Sequence, residues 1–229
     1  MALKSRGGGT ISSKPNFEVL EHGLRKYFPE LLKFESTAEM ESSELYAKIK
    51  PEVDRILNAV VTWVPAASVG NSMIPEEGNR HARVSALAWN IERGNRFSGI
   101  IKALKCHPQL QDKDILFLTE LDYGMARSGN RFVAKELGEA LQMRFAFAPI
   151  YIALQKGSGV EEFVEGENTN AIHGLALYSR YPMKNVHAIA LPNGKDKMSG
   201  KEKRLGRLRA LIADIEHPSG NFRAVTIHL

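Results

Sequence analysis

Residues 114–122 read Asp-Ile-Leu-Phe-Leu-Thr-Glu-Leu-Asp. A short apolar run closing on Thr119 and Glu120 predicts a buried strand with a carboxylate at its end. Two other segments share this build. Val84-Ser85-Ala86-Leu87-Ala88-Trp89 leads to Asn90, and Phe222-Arg223-Ala224-Val225-Thr226-Ile227 leads to His228. Strand ends are where a rigid scaffold presents reactive groups, because the loop beyond opens to solvent while the backbone stays fixed. A carboxylate beside an amide offers oxygen donors that suit a hard cation such as Mg²⁺. A nearby histidine can hydrogen-bond a phosphate oxygen or move a proton. Taken alone, each of the three is equally an ordinary turn, cap or exposed residue; their order along the chain is what gives them weight.

Working outward, strands are expected over residues 83–91, 114–120, 143–152, 171–181, 184–190, 207–217 and 221–229. Two amphipathic helices are expected between the early strands. One covers 96–107, with Phe97, Ile100, Ile101 and Leu104 on one face; the other covers 129–142, with Val133, Leu137 and Leu141 aligned. This order predicts an α/β (α+β) arrangement, a mixed sheet covered by helices or a layered sandwich. Ahead of it, residues 1–15 are Gly/Ser-rich and expected to be disordered. Apolar spacing from Phe17 to Phe34 predicts a helix kinked or split at Pro29. A second helix is expected from Ser42 or Ser43 to just before Pro65, divided at Pro51, with Leu45, Ile49, Val53, Ile56, Val60 and Trp63 on its apolar face. Residues 65–80 read as a linker. The expected organisation is therefore a disordered start, helical extension and linker over 1–80, and one domain over 81–229. The last strand runs to Leu229 with no turn or polar tail after it, which predicts a chain that stops partway through its fold.

Composition excludes several classes. Apolar residues make up 43% and charged residues 25% of the 229, which argues against wholesale disorder. The single cysteine, Cys106, excludes an intrachain disulfide and a Cys-rich zinc site, and fits a reducing compartment. No stretch approaches the ~18 apolar residues that cross a bilayer, and no apolar core follows the basic N-terminus. A cytoplasmic protein without transmembrane segments is expected. The net charge of +5 comes from the part after residue 80 and is compatible with a phosphate-bearing partner. Within that part, Lys195, Lys197, Lys201, Lys203, Arg204, Arg207 and Arg209 face only Asp196 and Glu202. Such a stretch can track a phosphate backbone or an anionic headgroup, and it makes Arg209 a candidate substrate contact. It also reads as a solvated loop. Gly157-Ser158-Gly159, followed by Glu161, Glu162, Glu165 and Glu167, reads as a flexible acidic loop; no Lys-Ser or Lys-Thr follows to form a phosphate cradle.

The segment Ala88-Trp89-Asn90-Ile91, then Ile115-Leu116-Phe117-Leu118-Thr119-Glu120-Leu121-Asp122, resembles the first two motifs of the endonuclease/exonuclease/phosphatase superfamily, the deoxyribonuclease I-like fold. His173-Gly174-Leu175-Ala176-Leu177-Tyr178-Ser179-Arg180-Tyr181-Pro182 resembles its third motif, and Val225-Thr226-Ile227-His228-Leu229 its fourth. The resemblance covers residues 81–229. It implies a four-layer sandwich, incomplete at the C-terminus, that hydrolyses phosphoester bonds with Mg²⁺ or Mn²⁺. It implies Glu120 as the metal-holding carboxylate, Asn90 as support for the metal and the phosphate, and His228 as a phosphate contact. His173, just before the motif glycine, would stand at the cleft wall as a candidate substrate contact. Where the motif often has Asn after that glycine, this chain has Leu175. The family's later motifs, Gly-Asp-x-Asn and Ser-Asp-His, occur nowhere in the sequence. The water-activating Asp and a second His are missing with them, so this chain alone is expected to be inactive or nearly so. DNA, RNA, phospholipid and small phosphoesters are all open as substrates, with the positive charge leaning towards nucleic acid. The alternative is a non-catalytic interaction module, or a gene fragment, that retains part of the fold.

Overall fold

The computed structural model describes residues 16–68 and 83–229. The expected disorder over 1–15 and most of the expected linker lie outside the described residues. The elements are α1 (Phe28–Leu31), α2 (Thr37–Glu41), α3 (Glu44–Asn58), β1 (Val61–Trp63), β2 (Ala86–Arg93), α4 (Phe97–Cys106), β3 (Ile115–Tyr123), α5 (Val133–Leu141), β4 (Arg144–Ala153), β5 (Ile172–Ser179), β6 (Met183–Ala190), β7 (Arg204–Gly206), β8 (Arg209–Ile215) and β9 (Phe222–Ile227).

The larger sheet has six strands in the order β1-β4-β5-β3-β2, with β7 also pairing β4. Only β2 and β3 run parallel within it, and α4 makes the crossover between them, as a parallel pair requires. The strands β6-β8-β9 form a second, antiparallel sheet. One face of the larger sheet packs on helices. Leu116, Leu118 and Leu121 of β3, Phe145 and Phe147 of β4 and Tyr178 of β5 join Ile100 and Leu104 of α4, Val133 and Leu137 of α5, and Ile49, Val53 and Ile56 of α3. The opposite face, with Ile115, Ala146, Ala148, Leu175 and Leu177, packs on Leu211, Ala213, Ile215 and Ala224 of the second sheet. The chain is thus a mixed α/β structure in which helices, a six-stranded sheet and a three-stranded sheet lie in successive layers. Strands β4 and β5 are buried along their whole lengths, as central strands covered on both faces must be.

The N-terminal segment departs from expectation. In place of one helix over 17–34 there are two 3₁₀ turns, Phe17–Leu20 and Leu24–Tyr27, and the single turn α1. Long-range bonds hold the break between them: the Gly23 N–H donates to Glu52, and the His22 ring meets the Asn170 carbonyl. Pro29 opens α1 rather than kinking a longer helix, at a position where its missing N–H costs nothing. Helix α3, capped by the Ser43 hydroxyl, runs through Pro51 without dividing. It ends at Asn58 rather than near Pro65. Ala59 turns extended, and Val61-Thr62-Trp63, β-branched and aromatic, pair with Phe147–Phe145 as β1. The segment before residue 80 therefore contributes both helices to the core and an edge strand to the larger sheet.

Two residues of the basic stretch tie this segment down. Lys203 Nζ donates to the Leu32 and Phe34 carbonyls at 2.9 and 2.7 Å. Arg209 is 5% exposed, and its guanidinium donates to the carbonyls of Ala59 (3.0 Å), Pro149 (3.0 Å) and Asn58 (3.3 Å). Asn58 and Ala59 end α3, where carbonyls lack helical donors and a cation is favoured. Burial among these uncharged partners lowers the Arg209 pKa to about 10. No helix among the described residues is long and apolar enough to cross a membrane.

Replacing Arg209 with Gln should cost about 2–3 kcal/mol of stability, because carbonyls at the α3 end and on β4 lose charged donors. Replacing the exposed Lys201 of the same stretch should change stability by less than about 0.5 kcal/mol. Urea unfolding of the two variants measures the contrast, and equal effects would refute the stapling role.

Candidate functional site

Strict alternation along β3 would send Ile115, Phe117 and Thr119 to one face, and Leu116, Leu118, Glu120 and Asp122 to the other, under the helices. An extra residue prevents this. Leu118 pairs with Ala176, but Leu121 pairs with Gly174, one step out of register. Glu120 sits in the bulge at φ +58°. Beyond it, Leu121 and Tyr123 pack with the helices, while Asp122 meets His173, in line with Leu175 and Leu177 on the side of the second sheet. The neighbouring strands shift at the same level. The β2 register slips between Asn90 and Arg93, with Glu92 and Arg93 at φ +48° and +66°, and the β4 register slips between Pro149 and Tyr151. Bulges re-aim side chains in this way and collect beside functional sites. Gly174 lies between the bulged β3 and β4. A Cβ there would run into the Ala148 carbonyl and the Phe147 ring, which accounts for a glycine at this point.

At this rim the three expected polar residues come together. Asn90 Nδ2 donates to Glu120 Oε1 at 2.9 Å, and Asn90 Oδ1 accepts the Glu92 N–H at 3.0 Å. The β2 bulge thus holds the amide, and the amide holds the carboxylate. Strand β9 lies across β3 and β5, so that His228 Nε2 is 3.3 Å from Glu120 Oε1. Partial burial pushes the Glu120 carboxyl up, but the Asn90 donor and the charges of His173, Arg93 and His228 outweigh it and hold the group below its ordinary value. It is an anion at neutral pH, and its Oε2 has no hydrogen-bond partner among the described residues.

Behind Glu120 lies a buried ionic chain. Asp122 is wholly buried. Its Oδ1 lies 2.8 Å from His173 Nδ1, and Arg127 Nε and Nη2 donate to Oδ2 and Oδ1 at 2.8 and 3.1 Å. Arg127 Nη1 reaches Glu161 and Glu202, each at 3.2 Å. Glu161 also pairs with Arg93 at 3.0 Å, and Glu202 pairs with Arg204. Three carboxylates thus alternate with three guanidiniums, as buried charges require. Burial raises the Asp122 carboxyl, but the His173 and Arg127 donors prevail and hold it below its ordinary value. Tyr151 stands across β4–β5 from His173. Its hydroxyl is buried without a partner, and burial pushes it up to about 12.

Of the residues read from the sequence, Asn90, Glu120 and His228 meet directly. His173 joins them as a neighbour whose charge acts on Glu120. Arg209 turns its guanidinium to the backbone of α3 and β4 instead, although its neighbour Ala210 pairs with Ile227 beside His228. The sequence marks neither Asp122 nor Arg93 as a site residue, and it shows Arg127 only as part of a turn after Glu120 at the cleft rim or helix entry. A second acid two positions after Glu120 in an apolar strand was the available signal; the ion pairs to Arg127 and Glu202 have no sequence signature. Among the described residues no three His, Cys, Asp or Glu side chains are grouped to hold a metal ion. A single carboxylate with a free oxygen suits Mg²⁺, which keeps waters and takes one or two carboxylates together with substrate phosphates. A scan against protein-family models and a search of curated proteins both find no match to this chain.

Two outcomes follow from the geometry. Because Glu120 holds a positive φ, Glu120→Gly should be more stable than Glu120→Ala by about 1 kcal/mol, the reverse of the usual order within a strand. Chemical denaturation of the pair decides it. The folded pKa of Asp122 lies below its ordinary 3.8, so its contribution is full above that value and is lost as pH falls through the folded one. The stability gap between wild type and Asp122→Asn should therefore narrow as pH falls below about 4. A gap independent of pH would contradict the assignment.

Proposed function

We propose that the rim formed by Asn90, Glu120 and His228 is the site of a metal-dependent phosphoester hydrolase of the endonuclease/exonuclease/phosphatase type, on a deoxyribonuclease I-like fold. The observation that carries this reading is the Glu120 carboxylate. It is anionic, has one oxygen free, is oriented by Asn90 and lies 3.3 Å from His228 Nε2. Glu120 would hold Mg²⁺ or Mn²⁺, and Asn90 would fix the carboxylate beside it. A bound cation supplies neutralisation of the anionic phosphate oxygens, an effect worth several kcal/mol in the transition state. His228 would donate a hydrogen bond to a phosphate oxygen. The net charge of +5 favours a polyanionic substrate, with nucleic acid preferred. An open groove lined by Asn95, Arg96, Phe97, Ser98 and Arg131 adjoins Arg127. The exposed thiol of Cys106 is at home in a reducing compartment, and we assign the protein to the cytoplasm.

Isothermal titration with Mn²⁺ tests the site. Wild type should bind, Glu120→Gln should lose binding, and Asn90→Ala should weaken it about tenfold through the freed carboxylate. Binding that survives Glu120→Gln, or no binding by wild type, would refute the assignment.

A further inference from the structure

A cavity of about 320 Å³ lies where α2 and α3 of the N-terminal segment meet β4, β6 and β7. Met40, Val53, Leu57 and Ile150 give it apolar walls, and Asn90, Glu120 and His228 lie outside it. Gly206 stands in the wall at φ +117°, where a Cβ would meet the Ile150 carbonyl and the Leu57 side chain. Four basic side chains line the cavity against two acidic ones. Lys50 pairs with Asp54 and Arg204 with Glu202. Arg207 and Arg209 have no carboxylate partner among the described residues. Arg209 is buried, and three of its five N–H donors go to the carbonyls of Ala59, Pro149 and Asn58. A buried charge without an opposite one is costly. Tyr46 is 8% exposed and lines the same cavity. Its hydroxyl has no hydrogen-bond partner among the described residues, yet it is not sealed from solvent. Burial pushes its pKa up, and the charges that act on it, Glu41, Asp54, Lys50 and Arg207, all stand in the cavity wall. The hydroxyl therefore opens into the cavity. Buried polar groups are ordinarily paired, so an open donor beside uncompensated cations calls for an acceptor that carries negative charge.

We propose that this cavity binds the oxyanion group, phosphate or carboxylate, of a small molecule, with Arg207 and Tyr46 as direct donors and Arg209 as the buried counter-charge. The site is independent of the phosphoester reading of the rim. A guanidinium meets either oxyanion with two parallel N–H donors. The volume is at the lower end of small-molecule pockets, roughly 300–1,000 Å³, which leaves room for a short body beyond the anionic group. Glu41 and Asp54 are acceptors in the same wall and suit hydroxyl groups on that body. Because the walls come from the N-terminal segment and from both sheets, an occupant fastens one to the other and raises stability by mass action.

NMR of the full chain tests the site, without metal and at constant ionic strength, with the tyrosine ring and arginine Nε signals as reporters. The probes are inorganic phosphate and acetate. At least one should shift the Tyr46 and Arg207 signals saturably, and the tighter of the two identifies the group that the cavity takes. Arg207→Gln should weaken that binding about tenfold and Tyr46→Phe about threefold. Both variants should melt within about 2 °C of wild type, since neither the exposed guanidinium nor the open hydroxyl holds the fold together. Glu120→Gln should leave the shifts unchanged. No saturable shift with either probe overturns the proposal. So do shifts that survive Arg207→Gln and Tyr46→Phe undiminished, which mark an anion bound elsewhere. Shifts abolished by Glu120→Gln place the anion at the rim, and they overturn this site while leaving the phosphoester reading intact.

Discussion

The extra residue between Leu118 and Leu121 decides which side of the larger sheet receives two carboxylates. Without it, Glu120 and Asp122 would follow Leu116 and Leu118 under the helices, where an unpaired charge is prohibitively costly. With it, the apolar layer between the sheets, built on Ile115, Phe117, Leu175 and Leu177, passes within a few residues into a polar rim. Positive φ at Glu120, Glu92 and Arg93 carries strain of about 1–3 kcal/mol each. The packed cores on both faces of the sheet and the hydrogen bonds of Asn90 hold the backbone there. A rigid scaffold with strain confined to its rim is what preorganised polar chemistry needs.

The ionic chain behind the rim acts over a longer range. Arg127 joins Asp122 at the end of β3 to Glu161 in the 3₁₀ turn Gly159–Phe163 and to Glu202 just before β7. Three segments far apart in sequence are thereby referred to one guanidinium. Charges this well buried add little net stability as a set, since desolvation offsets their attraction, but the loss of one member strands the others. The arrangement specifies position more than it adds stability. The same logic covers Lys203 and Arg209, whose donors go to carbonyls of the N-terminal segment and join it to the sheets.

Much of this was legible in the sequence. Strands β2, β3, β4, β5, β6, β8 and β9 and helices α4 and α5 show through alternation and helical spacing, because their local pattern and their tertiary environment agree. Asn90, Glu120 and His228 were legible as polar ends of apolar strands. Other features depended on distant partners. The broken helix before Phe34 rests on contacts to Glu52 and Asn170, and the strand Val61–Trp63 rests on β4. The basic run before β8 displays its charge in the sequence but not the carbonyls that Lys203 and Arg209 bind. Bulges are the least visible of all. Period-two reading puts Glu120 on the wrong face, and only the pairing of Leu121 with Gly174 reveals the shift.

The central claim is that one shifted register brings the amide, the carboxylate and the imidazole of three separate strands to a single place able to hold a cation. A crystal soaked with Mn²⁺ and inorganic phosphate, read by anomalous scattering, addresses this most directly. The account predicts an anomalous peak on the free oxygen of Glu120, with phosphate between it and His228. A continuous β3 register with Glu120 turned under the helices, or manganese bound elsewhere with this rim empty, would contradict it.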